Sequence, residues 1–209
     1  MKRTIVRHAA IASLALTLSV GLAACGGEDD GNDSAASDNT SQTTESSPSE
    51  SAGDQTFGAG CAAIPTDGAG SFDGMVTEPV ANAASANPLL KTLVAAVTAA
   101  DLVDTLNSAP ALTVFAPTND AFGKIPKKDL DAVLADKPTL TKILTHHVVE
   151  GQLGPDEVVG THQTLNGDEI TVEGSGEDYT VEDATIVCGN IPTANATVYV
   201  IDTVMMPKM

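Results

Sequence analysis

Apolar positions recur at helical spacing between residues 89 and 145 and at strand spacing after residue 146. Leu89, Leu90, Leu93, Val94 and Val97 follow Asn87 and Pro88. A capping amide and a proline suited to the first helical position, ahead of that spacing, predict a helix. Residues 102–106 predict a second, short one. Residues 112–116 predict a strand that Pro117 stops. Thr118 or Asn119 then caps a turn of helix carrying Phe122. Residues 127–134 and 138–145 read as two further helices, with Leu130, Val133, Leu134, Leu140, Ile143 and Leu144 facing inward.

Strands follow. Residues 146–150 predict one. Residues 161–165 and 169–172 flank Asn166-Gly167, the dipeptide favoured in a two-residue hairpin turn. Residues 179–181, 185–187 and 197–201 predict three more. Helices gather in the first half and strands in the second, which indicates an α+β fold in a single domain over residues 61–209.

The chain upstream has another character. Residues 1–7 are basic, and the 16 residues from Ala9 to Ala24 are mostly apolar. That run is short of the ~20 residues needed to span a bilayer as a helix. Its ending, Leu22-Ala23-Ala24-Cys25, looks like a bacterial lipobox. Residues 1–24 are therefore expected to be a lipoprotein signal peptide, with Cys25 lipidated as the new N-terminus. The segment from 26 to 60 carries eight acids and no base. It has almost nothing to bury, so residues 25–60 are expected to be a disordered acidic tether. Thr43 and Thr44 lie in a Ser/Thr/Pro stretch of the kind that accepts O-linked sugars.

Charge narrows the partners. The whole chain carries −18, and after cleavage at Cys25 the balance is 7 bases less 28 acids, or −21, without arginine. Such a surface repels phosphates, so no nucleic-acid partner is expected. Six aromatics and no Trp leave little to stack sugars or bases on. Three cysteines are an odd number for an exported chain. With Cys25 on lipid, Cys61 and Cys188 remain, and they can pair in an oxidising compartment. Their separation is unlike a Cys-x-x-Cys redox motif, so the pair reads as a cross-link.

Three segments carry a family resemblance. Leu112-Thr-Val-Phe-Ala-Pro-Thr-Asn-Asp-Ala-Phe122 resembles the first signature of fasciclin domains, Ile143-Leu-Thr-His-His-Val-Val149 the central one, and Ala196-Thr-Val-Tyr-Val-Ile-Asp-Thr-Val-Met-Met-Pro207 the closing one. The match runs over residues 72–207. Gly60-Cys-Ala-Ala, Val159-Gly-Thr-His-Gln-Thr-Leu165, Val187-Cys-Gly and Thr193-Ala-Asn-Ala-Thr-Val198 are similar to the immunogenic fasciclin-domain antigens of mycobacteria. The resemblance implies a β-wedge of about seven strands with helices packed beside it, a single disulfide, and display at the cell surface. It also implies contacts with extracellular-matrix or cell-surface proteins. The central signature often reads Tyr-His, whereas this chain has His146-His147, which puts any tyrosine hydroxyl contact there in doubt.

Candidate chemistry is sparse. In a strand, His146 and His147 point to opposite faces and do not chelate one ion, so no metal and no cofactor is expected. His147 is expected to be buried and hydrogen-bonded. Nucleophile and phosphate-loop motifs are not matched. Thr118, Asn119 and Asp120 are the candidate binding surface, against a structural reading as a helix cap. Met205 and Met206 suit either an adaptable contact patch or core filling. The pattern points to a non-catalytic adhesion module, monomeric and lipid-anchored on the extracellular face of the membrane, with release as a further outcome. The alternative is an extracytoplasmic carrier of a small hydrophobic ligand.

Overall fold

A computed structural model describes residues 51–207. Seven helices run in chain order: α1 Phe72–Met75, α2 Val80–Ala86, α3 Lys91–Ala99, α4 Val103–Ser108, α5 Asn119–Gly123, α6 Lys127–Ala135 and α7 Lys137–His146. Seven strands complete the fold: β1 Leu112–Pro117, β2 Val148–Glu150, β3 Gly160–Gln163, β4 Glu169–Ser175, β5 Asp178–Val181, β6 Ala184–Pro192 and β7 Ala196–Ile201. They form one sheet in the order β2-β1-β7-β6-β5-β4-β3. Only β1 and β7 pair in parallel, from Leu112↔Ala196 to Pro117↔Ile201. The sheet curls until its edges meet, with Val149 bridged to Thr164 and Leu165 N–H donating to Val148 O at 2.8 Å.

Strand periodicity divides the interior in two. Successive side chains of a strand point to opposite faces. Leu112, Val114 and Ala116 of β1, with Ala196, Val198 and Val200 of β7, face the helices and join the core built with Leu93, Val97, Leu140 and Ile143. Phe115, Tyr199 and Ile201 face into the curl and pack with Ile170, Val172, Tyr179 and Val181. Both central strands are buried along their whole length, which explains why apolar residues fill both faces, with Thr113 and Thr197 the buried polar exceptions. Strands β4 and β5 have one face in solvent, and there buried and exposed positions alternate.

The expected elements are present; β4 and β6 run three and five residues past their expected ends at 172 and 187, the other strands and helices agree within a residue or two, and four further differences stand out. Helices α1 and α2 lie in a stretch where no helix is predicted; α2 reads Val-Ala-Asn-Ala-Ala-Ser-Ala, too small in its side chains to show an apolar stripe. His146 closes α7 instead of opening a strand. The Asn166-Gly167 hairpin is also built differently. Gly167 N–H bonds Thr164 O at 3.0 Å, Gly167 alone takes a left-handed φ of 90°, and Asn166 stays at negative φ. This is a type I turn followed by a glycine, the three-residue form of hairpin.

The fourth difference is the domain boundary. Residues 51–60 fall in the tether by composition, yet they pack on the sheet. Phe57 pairs with Gly189 through both backbone bonds, and its ring centroid lies 4.7 Å from that of Tyr179. A single aromatic in a polar segment vanishes in any window average. A Cβ at Gly189 would lie 2.2 Å from the Phe57 ring, so glycine is required there for the strap to lie down. Cys61 and Cys188 are joined by a disulfide with Cα atoms 4.9 Å apart, immediately beside this contact. The expected signal peptide, the expected lipidation at Cys25 and the expected tether up to residue 50 lie outside the described residues, and no described helix is long and apolar enough to cross a membrane.

Candidate functional site

Thr118, Asn119 and Asp120 leave β1 and open α5, and they do different work. The Thr118 hydroxyl accepts a hydrogen bond from Ala121 N–H at 3.1 Å, capping the helix. Asn119 reaches back to α3. Its Oδ1 accepts from Thr92 N–H at 2.9 Å and from the Thr92 hydroxyl at 3.0 Å, while its Nδ2 donates to Pro88 O. Both side chains are thus occupied, Thr118 in capping α5 and Asn119 in tying α5 to the start of α3. Asp120 alone is exposed, in the first turn of α5 where a carboxylate suits the helix dipole.

The histidine pair lies beneath the helices. His147 is buried, and both ring nitrogens are engaged. Met205 N–H donates to Nε2 at 3.0 Å, so Nε2 is the acceptor, and Nδ1–H donates to Ile143 O at 2.7 Å. Burial drives the imidazole down to about 4, aided by neighbouring His146 and opposed by the Ile143 bond, so it is neutral near pH 7. His147 thereby ties the end of α7 to the segment after β7.

His146 faces the other way. Its side chain is only 2% exposed and lies between two carboxylates from separate turns: Nε2 is 3.3 Å from Glu182 Oε2, and Nδ1 is 2.9 Å from Asp168 Oδ1. The Nδ1 contact is at ion-pair distance but off the axis of a hydrogen bond. Partial burial pushes the Asp168 carboxyl up, but the Thr164 hydroxyl, His146 and the Asn166 amide outweigh it and hold it near 2. A polar contact thus occupies the place where the family pattern often puts a tyrosine. No group of three metal-ligating side chains is assembled among the described residues.

Asn195 emerges only in the structure. Its Oδ1 accepts from Val80 N–H at 2.9 Å, and its Nδ2 donates to Leu106 O at 2.8 Å and Ala109 O at 2.9 Å. One amide therefore joins the start of α2, the end of α4 and the start of β7. In the sequence the residue stands within the Thr193–Val198 segment of the family resemblance, and nothing there marks its amide as a structural joint.

Between these tie points is an apolar groove of about 60 Å³. Ala84, Val94, Leu102 and Leu106 form its wall, with Val114 and Leu144 in the floor. Leu165 stands at the lip, more than a third exposed. A separate, open cleft of about 590 Å³ lies beside Glu182, Asp183, Met205 and Met206. Met205 is buried in the inner core, and Met206 is half exposed, so the two methionines divide core filling and surface between them.

Comparison with known proteins gives the lineage of this architecture. The fasciclin domain model matches residues 88–207. The chain is 50% identical over 160 residues to the cell surface glycolipoprotein MPB83 of Mycobacterium bovis, covering 72% of each chain. It is 52% identical over 170 residues to the immunogenic protein MPB70 of the same species, covering 77% of this chain and 86% of the relative. A solved FAS1 domain pair from the insect cell adhesion molecule fasciclin I aligns at 24% identity with a TM-score of 0.48, over 56% of this chain and 45% of that one. With its signatures on β1, on α7 and β2, and on β7, the chain belongs to the fasciclin domain family.

Proposed function

We propose that this chain is a lipoprotein of the outer face of the cell membrane, anchored through Cys25, whose fasciclin domain is a non-catalytic binding surface for an extracellular-matrix or cell-surface protein. The observation that carries the reading is the half-identity to a relative named a cell surface glycolipoprotein, combined with Leu22-Ala23-Ala24-Cys25. Two acyl chains on one terminus hold a protein at a membrane far more firmly than one. The exposed Asp120, beside the rigid Thr118–Asn119 cap, is the contact residue. Metabolic palmitate labelling should mark the wild-type chain and spare Cys25→Ser, which should leave the membrane fraction. Label retained by Cys25→Ser removes the anchor. Cells lacking the chain should adhere less to matrix or host cells, and Asp120→Ala should reproduce the loss without lowering Tm. Equal adherence removes the adhesion role.

A second reading, an extracytoplasmic carrier of a small hydrophobic ligand, is favoured by the apolar groove under α2, α3 and α4. Native mass spectrometry of chain purified from its own envelope would show a bound compound.

A further inference from the structure

We infer that the groove between α2, α3, α4 and β1 takes the end of a single unbranched aliphatic chain of a free amphiphile with a neutral head; the inference rests on the carrier reading. Three features select this occupant. The wall is almost wholly hydrocarbon: His147 has both ring nitrogens bonded, the Thr145 hydroxyl donates to Thr141 O at 2.8 Å, and Thr105, the remaining polar lining residue, is exposed to solvent. A ligand that had to hydrogen-bond within the groove would leave its own groups unmet. Size is the second feature. A water-sized sphere needs about 10–15 Å³ of such volume, so about 60 Å³ holds roughly four to six. That suits a run of about five methylenes and leaves no room for fused rings.

Charge is the third. The lip residues Leu102 and Val103 are followed by exposed Asp104, and the described chain carries 21 acids against six lysines. An anionic head at the mouth is therefore repelled. The source is a free amphiphile, not a bilayer lipid, because bilayer hydrocarbon is already out of water and gains nothing by moving. The groove is framed at both ends. Val80 and Leu106 line it, and Asn195 bonds the backbone of both, so the wall is held open by polar contacts outside the apolar surface.

The experiment titrates the full chain with butan-1-ol through octan-1-ol while following methyl resonances. Shifts should concentrate at Ala84, Val94, Leu102 and Leu106. Affinity should rise about 4-fold per added methylene, the equivalent of ~0.8 kcal/mol, and level off after about five. Octanoate should bind more weakly than octanol. Ala84→Phe and, separately, Val94→Phe should fill the groove and abolish binding, with circular dichroism reporting the fold. If neither variant folds, the wild-type chain-length profile decides alone. No saturable shift, shifts scattered over the surface, or no dependence on length overturns the proposal. So does equal affinity for 3-methylbutan-1-ol and pentan-1-ol, which would mark a socket for a partner's branched side chain. If a different co-purified compound shifts the same methyls, the alkyl inference falls and the carrier reading stands; an empty groove in both experiments removes both.

Discussion

Lowering the pH should unfold this domain partly through one histidine. In the native state the His147 Nε2 lone pair accepts Met205 N–H, and Nδ1–H is held by Ile143 O. A second proton would need a place already taken by an N–H donor, inside the core. Burial holds the group near 4, against 6.5 for the unfolded chain. Between those values the unfolded state binds a proton that the native state refuses, so stability is fully present above about pH 6.5 and falls as pH drops toward 4. A difference of about 2.5 units is worth about 3 kcal/mol. For a domain of this size that is about 6–12 °C in Tm. The assay is urea denaturation at half-unit steps from pH 7.5 to 4, for wild type and for His147→Gln. Glutamine can donate and accept but does not titrate. It should lower stability throughout, yet show a slope shallower by close to one proton between pH 4.5 and 6. Subtracting the two curves cancels the other histidines and the carboxylates. Parallel curves would refute the argument, because His147 would then titrate alike in both states.

Three further outcomes follow from the same contacts. Gly189→Ala should cost about 1–3 kcal/mol by driving a methyl into the Phe57 ring, and Phe57→Ala should remove most of that penalty in a double-mutant cycle; additive effects would place the strap elsewhere. Asn195→Ala should cost about 2–4 kcal/mol in chemical denaturation, since Val80 N–H and two carbonyls lose their partner together; a loss below half a kcal/mol would contradict its place as the joint of α2, α4 and β7. Reducing the Cys61–Cys188 bond, 127 residues apart in sequence, should lower stability by about 2–5 kcal/mol. An unchanged Tm in reductant would argue against a cross-link that restrains the unfolded chain.

What could be read from the sequence, and what could not, divides along physical lines. Strands β1 and β7 announce themselves because burial on both faces leaves Thr113 and Thr197 as the only polar residues in Leu112–Pro117 and Ala196–Ile201. The amphipathic α3, α6 and α7 show themselves by period. Helix α2 does not, since Val80–Ala86 packs through alanines whose spacing carries no contrast. His146 reads as strand because the β-branched Val148 and Val149 follow at once, and nothing local says that the last turn of α7 reaches one residue further. Thr118 declares its capping role by type and place. Asn119 and Asn195 look like loop polars, because their partners lie 27 and up to 115 residues away. Long-range hydrogen bonds leave no periodic trace. The groove is equally invisible, being a property of how α2, α3 and α4 lean on β1.

The parallel pairing of the first strand with the last sets the timetable of assembly. Leu112 must wait for Ala196, 84 residues later, before its ladder can close. At about 5–20 residues per second, that is roughly 4–17 s of synthesis during which β1 has no neighbour on that side. Until β7 emerges, the wall that divides the two halves of the interior is incomplete. A fragment ending before residue 196 would thus expose two apolar faces at once, whereas losing residues ahead of the strap would leave the centre of the sheet complete.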